Sequence, residues 1–478
     1  MAQVEMRVDL SRLVNALIAN NPDEIIAASR EQLQNTDNPD TLLGRIGMIA
    51  VRGDHEGHPS ITLAAAAMLS RWARFMPAPV DSNVPARERV LPLFVQAVRQ
   101  AAAAVRAGND VQPQYPEPFF PSELPEGETV NTMMHKAVHS DDTQLAERLL
   151  FGLYGSGADY RTMEVRAYEG IADTFQNNGH QQQFALRGFQ LLDAVEWGDR
   201  APNVLHWLAP HLPLKPQNDE PEWAKQVRDF ANKPENSLAA VRTRLAPPKE
   251  ESALALRQTL RSDVDTIQVC RAVNEAIIKG GASPRATASV IALAAADLLN
   301  TIGDEDRALF IRAAHGLLLA AAVRQIFTRV QDVEAMKLVY LSAAYINALH
   351  KELAPQAQPA APKEAAAKIV GGGFIAGSQL ETLQKQLVEG DYSGALTTAR
   401  RYLKIGHDPR ALFAAVGIAA GYTDANADQG HTLQIVQAAA EEFVGWPRQL
   451  QETDRDSFIQ AALRAAAFGP RDSSLAGL

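Results

Sequence analysis

Apolar residues recur every three to four positions along most of this chain, which is the spacing of one buried face of an α-helix. In the segment DVDTIQVCRAVNEAIIKG, this spacing is kept by Val264, Ile267, Cys270, Val273 and Ile277. Runs in which apolar and polar residues alternate, the signature of half-buried strands, are almost absent. The pattern predicts an all-α protein.

Proline-rich segments interrupt the helical pattern and predict where the chain is divided. APPKEES, at residues 246–252, lies almost at the midpoint of the 478 residues. Residues 354–377 are rich in Pro, Ala, Lys and Gly, a composition that predicts a flexible linker. We therefore predict an N-terminal helical half, residues 1–246, and a C-terminal helical half, residues 252–478, which contains the linker.

The helical pattern repeats along the chain, weakly but in several places. TMMHKAVHSDDTQLAERLL, from Thr132, aligns with TLQKQLVEGDYSGALTTARRYL, from Thr382. Two degenerate repeats are predicted in each half, at residues 10–107, 130–212, 263–353 and 378–468. Because a repeat buries its apolar face only against its neighbours, this internal duplication predicts a closed bundle or an α/α superhelix.

One histidine in each predicted repeat opens or enters an apolar helix. The four segments are EGHPSITLAAAAML, NGHQQQFALRGFQLL, AAHGLLLAAAVRQIF and QGHTLQIVQAAAEEF. Their histidines are His58, His180, His315 and His431. Each begins an apolar face at helical spacing, so we expect its imidazole to point inward. Four inward histidines on repeated helices predict a common site on the axis of a closed bundle.

Imidazole is a ligand for iron, zinc, copper and haem, so such a site could hold a metal or a haem. Acids stand near three of the histidines in sequence, and one such as Asp54, in the segment GDHEGHPSI, or Asp173 could tune or complete the site. Two or three histidines with one carboxylate and open positions are the ligand set of non-haem iron oxygenases. The alternatives are that the histidines are structural core residues or that they contact substrate.

Three further histidines are secondary candidates. His55 belongs to the segment GDHEGHPSI but has no counterpart in the other repeats. His135 and His139 are four residues apart on one predicted helix. At this spacing two side chains can coordinate one metal ion or line a pocket.

Charge and composition narrow the classes of partner. The chain has 46 Lys and Arg against 56 Asp and Glu, and no basic block, which predicts binding to neither nucleic acid nor a membrane surface. A single cysteine excludes an internal disulfide. Neither a signal-peptide pattern nor an uninterrupted apolar run of about 20 residues is apparent, so we expect a cytoplasmic protein.

Two of the histidine segments resemble a known family. HGLLLAAAVRQIFTRVQDVEAMKLVYLSAAYINA, from His315, and HPSITLAAAAML, from His58, are similar to helices of the questin oxidase-like proteins, helical oxygenases of aromatic polyketide pathways. The two segments cover under a sixth of the chain. The resemblance implies an oxidase or oxygenase reaction, and it carries His58 and His315 over as pocket histidines.

These observations leave three functions open. The first is an all-helical oxidoreductase, in which the repeat histidines bind iron or haem beside an apolar pocket for a small apolar molecule. The second is a non-enzymatic helical-repeat scaffold that binds a protein partner along a groove. The third is a metal-free enzyme with histidines as acid–base groups. Inward histidines favour the first over the second, because a scaffold binds through its outward surface.

Overall fold

A computed structural model describes residues 9–36, 38–79, 86–216, 220–356, 375–451 and 455–475. Within these ranges the regular elements are helices, and the only β pairing is an isolated bridge between Thr423 and Arg471. The predicted all-α class is confirmed. Most of the predicted linker, residues 357–374, lies outside the described residues, and the division into two halves stays a prediction.

The helices of the first half fall into two groups along the chain. In the first predicted repeat, α1 to α6 are Ser11–Ala19, Pro22–Gln34, Pro39–Ala50, His58–Trp72, Leu91–Gln100 and Ala102–Gly108. In and after the second, α7 to α12 are Val130–His139, Thr143–Gly155, Tyr160–Gly170, His180–Ala194, Ala201–Leu208 and Glu222–Ala231.

The helices of the second half follow the same division. In and before the third predicted repeat, α13 to α17 are Leu256–Leu260, Thr266–Asn274, Pro284–Leu299, Arg307–Arg329 and Leu338–Leu353. In the fourth, α18 to α22 are Ala376–Val388, Tyr392–Lys404, Pro409–Ala420, His431–Val444 and Asp456–Phe468. The duplication itself stays a prediction.

Local sequence explains where many of these helices begin. Short polar side chains before the first turn accept a hydrogen bond from a backbone N–H that the helix leaves unpaired. The capping residues are Asn21, Thr129, Asp142, Asp159, Asp265, Ser283, Asp306, Asp391 and Asp408. Proline is the first residue of α3, α15 and α20, where its missing N–H costs no hydrogen bond.

Four helices form a closed ring at the centre of the protein. Helix α4 packs against α10, α10 against α16, α16 against α21, and α21 against α4. Runs of alanine in α4, α16 and α21 let the helix backbones approach closely. Outer helices surround the ring: α3, α5 and α20 contact α4, α15 and α17 contact α16, and α22 contacts α21. One apolar core runs through both predicted halves.

Helix α16 is long and apolar enough, by length and composition alone, to cross a membrane. It is 23 residues long, and 78% of its most apolar window is buried inside the protein. A core helix that is surrounded by other helices has the same composition as a membrane span. Its place in the central ring accounts for its hydropathy.

Candidate metal centre

Three of the four repeat histidines are placed by a glycine turn. His58, His180 and His431 are the first residues of α4, α10 and α21. A glycine with φ between 76° and 88° precedes each of them, a conformation that other residues rarely adopt. A Cβ at Gly57 would also lie 2.4 Å from Cε1 of Phe184. The glycine therefore lets the loop turn sharply, so that the imidazole enters the ring with the first helical residue.

The remaining repeat histidine reaches the same place from the middle of its helix. His315 lies within α16, which begins earlier, at Arg307. The guanidinium of Arg307 forms a 2.6 Å ion pair with the carboxylate of Asp428 and also donates to the hydroxyl of Thr432. Because Asp428 belongs to the loop before His431, these bonds align the start of α16 with the start of α21.

The four imidazoles lie together in one central cluster (His58, His180, His315 and His431). Neighbouring ring centroids are 4.7 Å apart for His58–His180, 4.9 Å for His180–His315, 4.9 Å for His315–His431 and 5.2 Å for His431–His58. The order of the rings is the order of the helices around the central ring. The structure thus brings together the four histidines that the sequence places in equivalent positions.

Backbone carbonyls orient three of the rings. His315 Nδ1 donates to the carbonyl of Ile311 at 2.8 Å, and His431 Nδ1 donates to that of Asp428 at 2.6 Å. His180 Nδ1 donates in the same way to a carbonyl of the preceding turn. Since a carbonyl can only accept, Nδ1 carries the hydrogen and Nε2 of the neutral ring carries a lone pair. Histidines that bind metals are commonly held by such carbonyls.

The Nε2 atoms of His315 and His431 are 3.2 Å apart. With both Nδ1 atoms donating to carbonyls, two neutral rings would direct lone pairs at each other, a repulsion that a shared proton or a metal ion bound by both nitrogens would relieve. Nε2 of His180 and both ring nitrogens of His58 are buried, and none has a hydrogen-bond partner among the described residues. Each unpaired buried polar atom costs about 1–3 kcal/mol. The cluster therefore offers several nitrogen lone pairs that the protein does not satisfy.

Burial keeps the central cluster uncharged at neutral pH. Burial and the neighbouring His180 and His431 lower the pKa of His58 to about 3. Burial lowers the pKa of His180 to about 4, although the bond to its carbonyl opposes the shift. The pKa values of His315 and His431 are lowered by the same cause. Neutral imidazole is the form that binds metal, so the ligands are ready without loss of protons.

In chelator-treated protein, we expect acid to reduce the stability of the fold through these histidines. Their unfolded pKa, about 6.5, exceeds the folded value, so the unfolded state binds more protons and stability is lost as pH falls from 6.5 towards 4. Through His180 alone, the free energy of unfolding should be about 2 kcal/mol lower at pH 5 than at pH 8. Urea unfolding at both pH values should show this loss reduced in His180→Gln. An equal loss in the variant and the parent protein would contradict the assignment.

Asp54 and His55, both in the segment GDHEGHPSI, do not belong to the central cluster. The carboxylate of Asp54 accepts hydrogen bonds from the backbone N–H of Gly57 at 2.7 Å and from the N–H and hydroxyl of Ser60 at 3.0 and 2.6 Å. Asp54 therefore holds the turn that orients His58. His55 is exposed and lies outside the group of ligand atoms that the central cluster forms.

The sequence predicts that Asp173 completes the central site. The structure instead places it with His135 and His139, away from the central cluster. Its carboxylate lies 3.1 Å from Nε2 of His139 and 3.4 Å from Nε2 of His135. The loop after α9 runs beside α7 and α12, where Arg228 donates to the Asp173 carbonyl and Asn232 to its carboxylate. Burial raises the pKa of Asp173, but the hydrogen bonds outweigh burial and hold the pKa well below its usual range.

A fifth histidine, His211, lies beside the central cluster and was not singled out by the sequence. Its ring centroid is 4.6 Å from that of Phe184 and 5.1 Å from that of Trp207. Burial and the charge of Lys215 lower its pKa to about 4, and its own charge contributes to the low pKa of His58. It stands on the short turn Ala209–His211, outside the four histidine segments that the repeat pattern selects.

The ring interior also contains buried polar side chains. Arg187 of α10 and Glu441 of α21 form an ion pair with a 3.5 Å separation across the ring. Between this pair and the histidines along the same helices lie Gln183, Gln434 and Gln437. Each of these amides has at least one buried atom with no partner in the described part of the chain. Unpaired buried amides are rare in protein cores and suit contact with a polar ligand.

The fold and the cluster define an all-α protein in which four histidines face one another inside a ring of helices. The ligand atoms of His58, His180 and His431 lie within 4.8 Å of one another. No protein-family model, no curated protein and no solved structure matches this chain. The resemblance to questin oxidase-like proteins stays a prediction.

Proposed function

We propose that this protein binds one first-row transition-metal ion in the central cluster and uses it as an oxidoreductase. The observation that carries the proposal is the 3.2 Å approach of the His315 and His431 Nε2 atoms, both of which carry lone pairs. Two imidazoles that share one ion at about 2.1 Å have their nitrogens about 3.0–3.4 Å apart. A metal ion bound by His431 would remove this repulsion. The ligand atoms of His58, His180 and His431 lie within 4.8 Å of one another, so the same ion could also pair the buried nitrogens of His58 and His180.

A single ion suits the central cluster better than haem. A haem needs the space of its whole macrocycle between the axial ligands, whereas the rings of neighbouring histidines here are 4.7–5.2 Å apart, and the His180–His431 diagonal is 6.1 Å. A set of neutral imidazoles favours copper, zinc or iron over magnesium or calcium, which prefer oxygen ligands. Iron or copper would give the redox chemistry that the resemblance implies.

The interior amides support an enzymatic use of the ion. Neutral imidazole ligands leave the positive charge of the ion uncompensated, so a polar or anionic molecule beside it is favoured. Gln183 and Gln437 stand on the same helices as the ligands His180 and His431 and have unpaired buried amide nitrogens within the described residues. We propose that these amides contact the substrate. The pocket would then be more polar than the sequence predicts.

Metal analysis of the protein, purified without a histidine tag or chelator, tests the proposal. We expect about one iron or copper per chain in the central cluster, absent from His180→Gln/His431→Gln, and an absorption or paramagnetic resonance signal from that ion. Because an ion that binds only the folded state stabilises it, the metal at 100 times its dissociation constant should add about 2.7 kcal/mol to the free energy of unfolding. Failure of iron, copper and zinc to bind would overturn the metal site; binding of zinc alone would overturn the oxidoreductase.

A further inference from the structure

A second group of side chains, on other helices than the central ring, also has the arrangement of a metal site. We propose that the surface triad (His135, His139 and Asp173) binds a divalent transition-metal ion and leaves coordination positions open to solvent. This inference does not depend on the proposed function of the central cluster, because it concerns α7 and the loop after α9.

The distances within the surface triad fit one ion. His135 and His139 are four residues apart on α7, and their stacked rings have centroids 4.1 Å apart. Both direct Nε2 at the Asp173 carboxylate, at 3.4 and 3.1 Å, and the three ligand atoms all lie within 4.8 Å of one another. Ligands bound to one ion at about 2.1 Å are separated by about 3.0–3.4 Å. The two distances from histidine to carboxylate already match this separation.

Outer residues hold the carboxylate in place. The side chain of Asp173 is only 2% exposed, and it accepts a 3.1 Å hydrogen bond from Nδ2 of Asn232. The oxygen of the Asn232 amide accepts in turn from Lys337 Nζ at 2.6 Å, which fixes the direction of the amide. The guanidinium of Arg228 donates to the backbone carbonyl of Asp173 and pairs with Glu220, rather than with the carboxylate. Such oriented carboxylates are typical of metal sites.

The surface triad is partly exposed to solvent, whereas the central cluster is enclosed by the ring of helices. The side chains of His135 and His139 are 45% and 22% exposed, so the histidine side faces water while Asp173 forms the buried floor. Two histidines and one carboxylate on one side of an ion leave the opposite positions for water or a small anion. The expected metal is therefore zinc, iron(II) or a similar ion that also carries an exchangeable water or small anion.

Cobalt(II) titration, followed by its visible absorption and by calorimetry, tests this site. We expect the parent protein to bind two cobalt ions per chain and His135→Gln/His139→Gln to bind one. Asp173→Asn, which keeps the shape of the side chain, should weaken the second site at least tenfold. His206→Gln, at a histidine that pairs with Glu147 outside both sites, is the control and should still bind two.

The outcomes separate the two proposed sites. Loss of one ion only in His135→Gln/His139→Gln supports the surface triad even if the central cluster binds nothing. If the parent and this variant bind the same number of ions with the same affinity, the surface triad is overturned. A fall in melting temperature of Asp173→Asn without any change in cobalt binding overturns it as well, because Asp173 would then only hold α7 and α12 together.

Discussion

Replacing both His180 and His431 by glutamine should lower the metal affinity of the central cluster at least 100-fold. The double change removes two of the three histidines whose ligand atoms lie within 4.8 Å of one another, and with them one of the two Nε2 atoms that lie 3.2 Å apart. Loss of an outer partner alone typically costs 10–100-fold, so loss of two direct ligands should cost no less. Glutamine keeps much of the side-chain volume and has no titratable nitrogen. Metal content after equilibrium dialysis against iron, copper or zinc measures the effect.

His55→Gln is the matched control for this result. His55 is three residues from His58 in sequence, yet it is exposed and outside the cluster. We expect this variant to bind metal as the parent protein does. Circular dichroism should show that the double variant is still helical. If the folded double variant kept the parent affinity, the four histidines would have only a structural role.

Replacing Arg324 by methionine should cost about 3–5 kcal/mol of folding free energy at pH 8, because it leaves a buried carboxylate without its partner. Arg324 of α16 and Glu442 of α21 form a 2.7 Å ion pair, with 3% and 0% of their side chains exposed. The pair lies at a contact between two helices of the central ring. Urea unfolding measures the loss. Arg12→Met, which breaks exposed pairs with Glu24 and Glu31, should leave stability unchanged.

The cost of Arg324→Met should also depend on pH. Burial, which outweighs the attraction of Arg324, raises the pKa of Glu442 to about 7. A folded pKa above the unfolded value means that the folded state binds more protons. The contribution of Glu442 to the free energy of unfolding therefore falls as pH rises from 4.5 to 7. Without Arg324 the folded pKa rises further, and the extra cost at pH 8 relative to pH 5 should be about 1 kcal/mol.

The double variant Arg324→Met/Glu442→Leu distinguishes an unpaired charge from poor packing. Replacing both members of a buried ion pair by apolar residues is often neutral or stabilising. We therefore expect the double variant to recover most of the stability that Arg324→Met loses. A double variant as unstable as the single one would show that volume, rather than charge, is the reason for the loss.

Much of the helical framework can be predicted from local sequence. Spacing of apolar residues and the capping residues before the helices are local properties, and the structure confirms the all-α class that they predict. The glycine before His58, His180 and His431 is also a local signal, because its backbone conformation sets the direction of the next residue. From these signals the four histidines could be selected as a group before any coordinates were known.

The companions of the histidines could not be predicted in this way. The sequence predicts Asp54 beside the metal, but its carboxylate instead accepts hydrogen bonds from the backbone N–H groups of Gly57 and Ser60. Asp173 comes shortly before His180 in sequence, yet its loop faces α7 and places it with His135 and His139. His211 lies beside the central cluster on the short turn Ala209–His211 and packs against Phe184. Where a loop directs its side chains depends on which helices it packs against.

The amino-acid sequence by itself determined the helices, their starts and the inward faces, because hydrophobic spacing, capping and glycine conformation act within a few residues. Only the tertiary structure decided that α4, α10, α16 and α21 close into one ring, and that two Nε2 atoms lie 3.2 Å apart within it. It also decided that Asp173 meets the histidines of α7. These distances join residues far apart in the chain, and they result from the packing of whole helices, which no local pattern contains.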